Sequence, residues 1–158
     1  MIHLLITGGT LDKDYDALSG ELTFPGTIVP HMLERARVTL PVTTTVLMQK
    51  DSLEMTDADR LRIAEAAEAS EHERLVITHG TDTMTETGRL LSTRPVLKKK
   101  TIVLTGAMRP HRLGHSDALF NLGAALMAAQ LAQPGVWIAM NGRLLPATTA
   151  QKDRSRGV

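Results

Sequence analysis

Ile2-His3-Leu4-Leu5-Ile6-Thr7-Gly8-Gly9-Thr10 begins as a short apolar run and ends on two glycines and a threonine. A brief apolar run closed by glycine is the signature of a fully buried strand. The pattern recurs along the chain. Residues 44–48, 75–77, 102–104 and 136–140 are further apolar runs, several of them bounded by Gly or polar residues. Between the runs lie stretches with helix signals. One spans 27–36, with Thr27 as its cap and Pro30 in the first turn, where a missing N–H is harmless. A second spans 56–70, where Thr56 and Asp59 have the spacing of a capping box. A third spans 82–91. A fourth spans 117–131, capped by Ser116 and stopped by Pro134-Gly135. Strands alternating with helices predict a parallel sheet covered on both faces.

The whole chain is consistent with one such unit. Its 158 residues suit a single domain with a proper core. Eighteen basic and 17 acidic residues leave a net charge of +1. That balance gives no support for a nucleic-acid or anionic membrane surface. Aromatic residues make up only 3%, which argues against base-stacking platforms. With no cysteine, disulfides, thiolate metal sites and a cysteine nucleophile are excluded. The N-terminus lacks the basic start and the length of a signal peptide, and no stretch approaches the ~20 apolar residues of a membrane span. A cytoplasmic location is the expectation.

In a parallel α/β sheet, ligands bind at the carboxyl ends of the strands. The residues found there are Gly8-Gly9-Thr10, Gln49-Lys50-Asp51-Ser52, His79-Gly80-Thr81-Asp82, Gly106-Ala107-Met108-Arg109 and Asn141-Gly142-Arg143. Thr10 behind two glycines offers a hydroxyl nucleophile if its proton is removed. Thr81-Asp82 pairs a second hydroxyl with a carboxylate at an expected helix start, where backbone N–H groups favour an anion. Taken singly, Gly-Gly-Thr is also a common turn and Asp82 an ordinary helix cap. Dinucleotide, phosphate-loop and nucleophile-elbow motifs are absent. His111 and His115 have a helical metal spacing, but Pro110 and Gly114 argue for a loop there, and no third ligand is evident.

Together these blocks resemble the bacterial-type L-asparaginase family. Thr7-Gly8-Gly9-Thr10-Leu11 is similar to its first signature and His79-Gly80-Thr81-Asp82-Thr83-Met84 to its second. Gly106-Ala107-Met108-Arg109-Pro110 and Phe120-Asn121-Leu122 resemble a third block. The resemblance covers most of the chain, but only the amino-terminal domain of the usual two-domain enzyme. Residues 1–158 are therefore read as one catalytic domain, with the usual carboxy-terminal domain absent. The implied fold is a single-domain α/β three-layer sandwich of Rossmann/flavodoxin-like type with a mainly parallel sheet.

The resemblance implies roles residue by residue. Thr10 stands at the nucleophilic threonine. Thr81 and Asp82 stand at the second threonine and its acidic neighbour, which also contacts the substrate amino group. Lys152, reached by counting on from Asn141, stands at the lysine paired with them. Ser52 falls at the serine that binds the substrate carboxylate, and Ala107 at a backbone carbonyl lining the amide end. Gly9, Asp51 and Gly80 complete the substrate-binding set. Tyr15, the only tyrosine, falls in the stretch where the family carries a mobile lid, and there it would help deprotonate Thr10. Leu53 departs from the polar residue usual after the serine, with Glu54 the nearest substitute.

The implied reaction is hydrolysis of L-asparagine, or of L-glutamine, through an acyl-threonine intermediate, with no metal and no organic cofactor. Two other readings stand beside it: an amidase acting on a larger amide, such as a tRNA-linked or peptide amide, and a catalytically silent amino-acid-binding module. A homodimer or higher homo-oligomer is expected, because family members assemble. Residues 118–129 hold Asn121 as their one polar side chain. This predicts a helix buried on several sides, or else an interface through Gly123, Ala124, Ala125 and Ala128.

Overall fold

The computed structural model describes residues 1–157. Eight strands and four α-helices follow one another as β1 (Ile2–Gly8), β2 (Asp14–Asp16), β3 (Glu21–Thr23), α1 (Val29–Arg35), β4 (Val42–Lys50), α2 (Asp57–Ala69), β5 (Arg74–Thr78), α3 (Met84–Thr93), β6 (Thr101–Thr105), α4 (Ala118–Leu131), β7 (Gly135–Met140) and β8 (Arg143–Pro146). Six strands form one sheet in the order β4-β1-β5-β6-β7-β8. All neighbours are parallel except β7 and β8. The chain winds outward from β1 to β4, then crosses back to β5 on the other side. The gap between the ends of β1 and β5 is therefore the topological switch point, where loops part and leave a crevice.

Strand alternation builds the two cores. Ile2, Leu4, Ile6, Val76, Val103 and Ala139 face one side, against Val29 and Met32 of α1 and Leu122, Ala125 and Ala129 of α4. Leu5, Leu75, Ile77, Ile102, Leu104 and Ile138 face the other, against Ile63 and Ala67 of α2 and Leu91 of α3. Each fully buried Leu or Ile contributes about 1.5–3 kcal/mol of transfer free energy. The three-layer α/β architecture expected from the sequence is the one observed.

Several boundaries moved for identifiable reasons. Helix α1 begins at Val29 with Ile28 at its cap, so Thr27 lies one residue before the cap rather than at it. Its hydroxyl accepts from the Val29 N–H at 3.2 Å while donating to Asp12 at 3.1 Å. Helix α3 begins at Met84 rather than at 82, so Asp82 is left outside the helix and does not cap it. Helix α4 begins at Ala118 with Asp117 at its cap, so Ser116 lies one residue earlier, its hydroxyl accepting from the Ala118 N–H at 2.9 Å. The helix itself is not buried all round: Phe120 is 65% and Leu131 76% exposed. Ala125 is fully buried in its own core and is unavailable to a partner.

Two hairpins escaped the sequence reading. Strands β2 and β3 form a separate two-stranded ribbon, and β8 folds back antiparallel on β7. Asn141 and Gly142 both have positive φ, at 55° and 73°. That is the two-residue turn that Asn-Gly favours.

The capping box of α2 is complete. Thr56 Oγ1 accepts from the Asp59 N–H at 3.2 Å, and Asp59 Oδ2 accepts from the Thr56 N–H at 2.9 Å. The Lys50 hydrogen bond, aided by Thr56, lowers the Asp59 carboxyl to about 2. Thr56→Ala is expected to cost about 1 kcal/mol, read as a shift of the urea midpoint at neutral pH.

Candidate active site

The switch point is held together by missing side chains. A Cβ on Gly9 would lie 2.4 Å from the Gly80 nitrogen, and a Cβ on Gly80 would lie 2.6 Å from Ser52 Oγ. Gly9 also has φ +77° with ψ 178°, a region that side chains other than glycine's scarcely enter. The loops after β1, β4 and β5 therefore touch through their backbones. Thr10 and Thr81 are each one residue from that contact. The Thr10 hydroxyl has no hydrogen-bond partner among the described residues, and neither the Thr10 nor the Thr81 N–H has a backbone acceptor there.

Lys152 completes a cluster at this place. Its Nζ donates to Thr81 Oγ1 at 2.7 Å and to Asp82 Oδ1 at 2.8 Å, with only 16% of its side chain exposed. Arg154 adds a longer contact to the same carboxylate, at 3.7 Å. The lysine arrives by an indirect path. After β8 the chain turns at Pro146 and runs back beside α3. Buried Ala147 packs where a Cβ on Gly88 would stand, 2.7 Å away, so Gly88 is what lets this return pass so close. A pocket of about 60 Å³ beside the lysine is lined by Thr81, Met84, Met108, Met140 and Lys152, among others.

The remaining expected residues divide. Asp51 is engaged by the protein itself, with Oδ2 2.6 Å from Lys13 Nζ and Oδ1 3.1 Å from the Leu53 N–H. Burial opposes ionisation of this carboxyl. The Lys13 hydrogen bond, the Leu53 N–H and the charges of Lys13 and Lys152 outweigh it and hold the carboxyl below its usual range. Ser52 is 1% exposed; its Oγ accepts from the Thr83 N–H and its carbonyl from the Thr83 hydroxyl. It fastens the β4 loop to the β5 loop. Ala107 lies in the core, between Gly106, whose carbonyl takes Asn121 Nδ2, and Met108, whose N–H binds Asp117. Leu53 is 67% exposed. Tyr15 stands on β2, 55% exposed, and its hydroxyl makes no hydrogen bond among the described residues.

Three supports went unread in the sequence. Arg112 donates to the carbonyls of Asp12 at 2.6 Å and Gly26 at 2.8 Å, clamping both ends of the β2–β3 ribbon. Buried Asp12 accepts from Thr27, Ile28 and Gln49; burial still raises its carboxyl above the usual value. His79 is fully buried, its Nδ1 2.7 Å from the Gly80 carbonyl and its Nε2 2.7 Å from Thr87 Oγ1. A carbonyl only accepts, so Nδ1 carries the proton and the Thr87 hydroxyl donates to Nε2. Burial, with the Arg60 charge adding to it, pushes this imidazole down to about 4 despite the Gly80 bond. Spacing within one segment does not reveal partners such as Asp12 and Arg112. The contiguous His79-Gly80-Thr81 was the one legible hint.

Fold and site together define a doubly wound α/β domain with two hydroxyl loops and a lysine–carboxylate pair at its switch point. The chain belongs to the asparaginase family: residues 1–158 match the family model described as Asparaginase, N-terminal. It is 33% identical over 172 residues to the probable periplasmic L-asparaginase of Haemophilus influenzae, covering 99% of this chain and 47% of that protein. It is 32% identical over 153 residues to a glutamyl-tRNA(Gln) amidotransferase component of Methanococcus vannielii, covering 90% and 34%. The structure of a probable cytoplasmic L-asparaginase from Campylobacter jejuni superposes with a TM-score of 0.78 at 33% identity, covering 92% of this chain and 47% of that one. The chain thus spans about half the length of these asparaginases. One relative is named periplasmic and another cytoplasmic, so the relatives do not decide the compartment. Among the described residues, no helix is long and apolar enough to cross a membrane.

The buried neutral histidine makes stability depend on pH. Between its ordinary value of 6.5 and the folded value of about 4, the unfolded chain takes up a proton that the folded one refuses. His79 should therefore cost up to about 3 kcal/mol of stability as pH falls across that window, and nothing above it. Urea unfolding from pH 7.5 to 4.5 reads this. Parent and His79→Asn should differ in slope below pH 6.5, and equal slopes would clear His79 as the cause.

Proposed function

We propose that this chain hydrolyses the side-chain amide of L-asparagine, with Thr10 as nucleophile. The observation that carries this reading is Lys152 bridging Thr81 and Asp82 beside the backbone contact that holds the Thr10 loop. Thr10 Oγ attacks the amide carbon, the C–N bond breaks, and ammonia leaves with the proton it needs. Water then cleaves the β-acyl-threonine ester, releasing aspartate and restoring the hydroxyl. Thr81, Lys152 and Asp82 form a chain of hydrogen bonds along which a proton shifts to or from the reacting oxygen. The unpartnered N–H groups of Thr10 and Thr81 suit a developing oxyanion.

Substrate grip is divided among Asp82 for the amino group, the Ser52 loop for the carboxylate and the Ala107 carbonyl near the amide. Gly9, Asp51 and Gly80 shape that crevice. With Asp51 already paired to Lys13, its part is to set the loop rather than to meet substrate. Tyr15, exposed on the β2–β3 ribbon, would assist removal of the Thr10 proton. For assembly, a second copy is better served by the exposed Phe120, Met127 and Leu131 than by the small residues of α4.

A second reading, action on glutamine or on a tRNA-linked amide, is favoured by the Methanococcus relative, named for glutamyl-tRNA(Gln). The net charge of +1 weighs against an RNA surface on this domain. Ammonia release measured in parallel from asparagine and glutamine separates the two substrates. Thr10→Ala should lower kcat at least about a thousandfold without unfolding the protein, and retained turnover would eliminate Thr10 as nucleophile.

A further inference from the structure

His79 is the buried titratable group that the proposed chemistry leaves unused, and it touches the site through a single peptide. Its ring lies beneath the β5 loop, with no exposure to solvent. Nδ1–H holds the Gly80 carbonyl at 2.7 Å, and the Thr87 hydroxyl, from one turn inside α3, holds Nε2 at 2.7 Å. The peptide between Gly80 and Thr81 is trans and planar, so its N–H points opposite to its carbonyl. With the carbonyl turned to the ring, the Thr81 N–H is turned away from it, and it has no backbone acceptor among the described residues. Ser52 and the Gly9 loop lie close against Gly80 and leave no room for a side chain there.

We infer that His79 is a positioning residue: its Nδ1–H, selected by the Gly80 carbonyl and braced at Nε2 by the Thr87 hydroxyl, orients the Gly80–Thr81 peptide so that the Thr81 N–H is presented to the oxyanion of the reacting amide. The opposite tautomer would set the Nδ1 lone pair against the Gly80 oxygen and push the peptide out of line. Only a neutral ring can accept from Thr87 and donate to Gly80 together. An uncharged, desolvated imidazole is what that double bond requires. Arg60 supplies the nearby charge that disfavours a second proton, and no carboxylate bonds the ring. This inference rests on the reading of Thr81 as an oxyanion donor.

The test is Thr87→Val, which keeps the volume and removes the donor, with Thr87→Ser restoring the hydroxyl. Parent protein should show His79 protonated at Nδ1 in nitrogen-15 spectra. Thr87→Val should leave Nε2 without its donor, shift the Thr81 amide resonance and lower kcat for asparagine about ten- to a hundredfold, with KM changed less than about twofold. Thr87→Ser should recover most of kcat. A Thr87→Val protein with a shifted Thr81 amide resonance but parental kcat would overturn the inference, as would a serine variant no better than the valine one. If Thr87→Val does not fold, His79→Asn, which keeps a donor near Nδ1, should retain more kcat than His79→Leu; equal loss in both overturns it. A parent inactive on every amide would instead sink the reading of function. The positioning claim would then stand or fall on whether the Thr81 amide resonance moves in Thr87→Val.

Discussion

The backbone contact among Gly9, Gly80 and Ser52 is the constraint on which the rest of the site depends. Three parallel strands end within one crevice only because two of their loops carry no side chain where they cross. A methyl group on Gly9 or Gly80 would force these loops apart. The positive-φ backbone at Gly8 and Gly9, open to glycine at no steric cost, is what permits this approach. Thr10 and Thr81 inherit their nearness from it.

Around that contact, the protein spends its buried polar groups on holding loops still. Ser52 ties two loops together, Asp51 and Lys13 tie the β1 loop to the β4 loop, and Arg112 ties down the ends of the ribbon. Asp12 and His79 are shifted in the directions burial dictates, each toward its neutral form. Lys152 and Asp82 stay partly open to solvent.

Most of the layer architecture was legible because burial on two faces leaves unmistakable apolar runs. The capping box at Thr56 was read correctly for the same kind of reason, being local and complete within four residues. The β7–β8 hairpin was missed although Asn141-Gly142 carried its signal, because the strand after it, Arg143–Pro146, is mostly exposed and lacks an apolar alternation. Helix α4 reads as buried on several sides because its outward face, Phe120, Met127 and Leu131, is as apolar as its inward one. Composition cannot distinguish a core face from an unpartnered one.

By itself the sequence determined the alternation of strand and helix, the glycines at the strand ends and the identity of the hydroxyl, carboxylate and lysine groups. Those are local properties, written in runs of a few residues. Only the tertiary structure decided which of them meet. It set Lys152 on Thr81 and Asp82 by returning the chain past Gly88, gave Asp51 to Lys13, and turned His79 inward to the Gly80 carbonyl. The physical reason is that hydrogen bonds act over about 3 Å, whereas their partners here lie on separate strands whose spacing is fixed by the packed sheet, not by the chain between them.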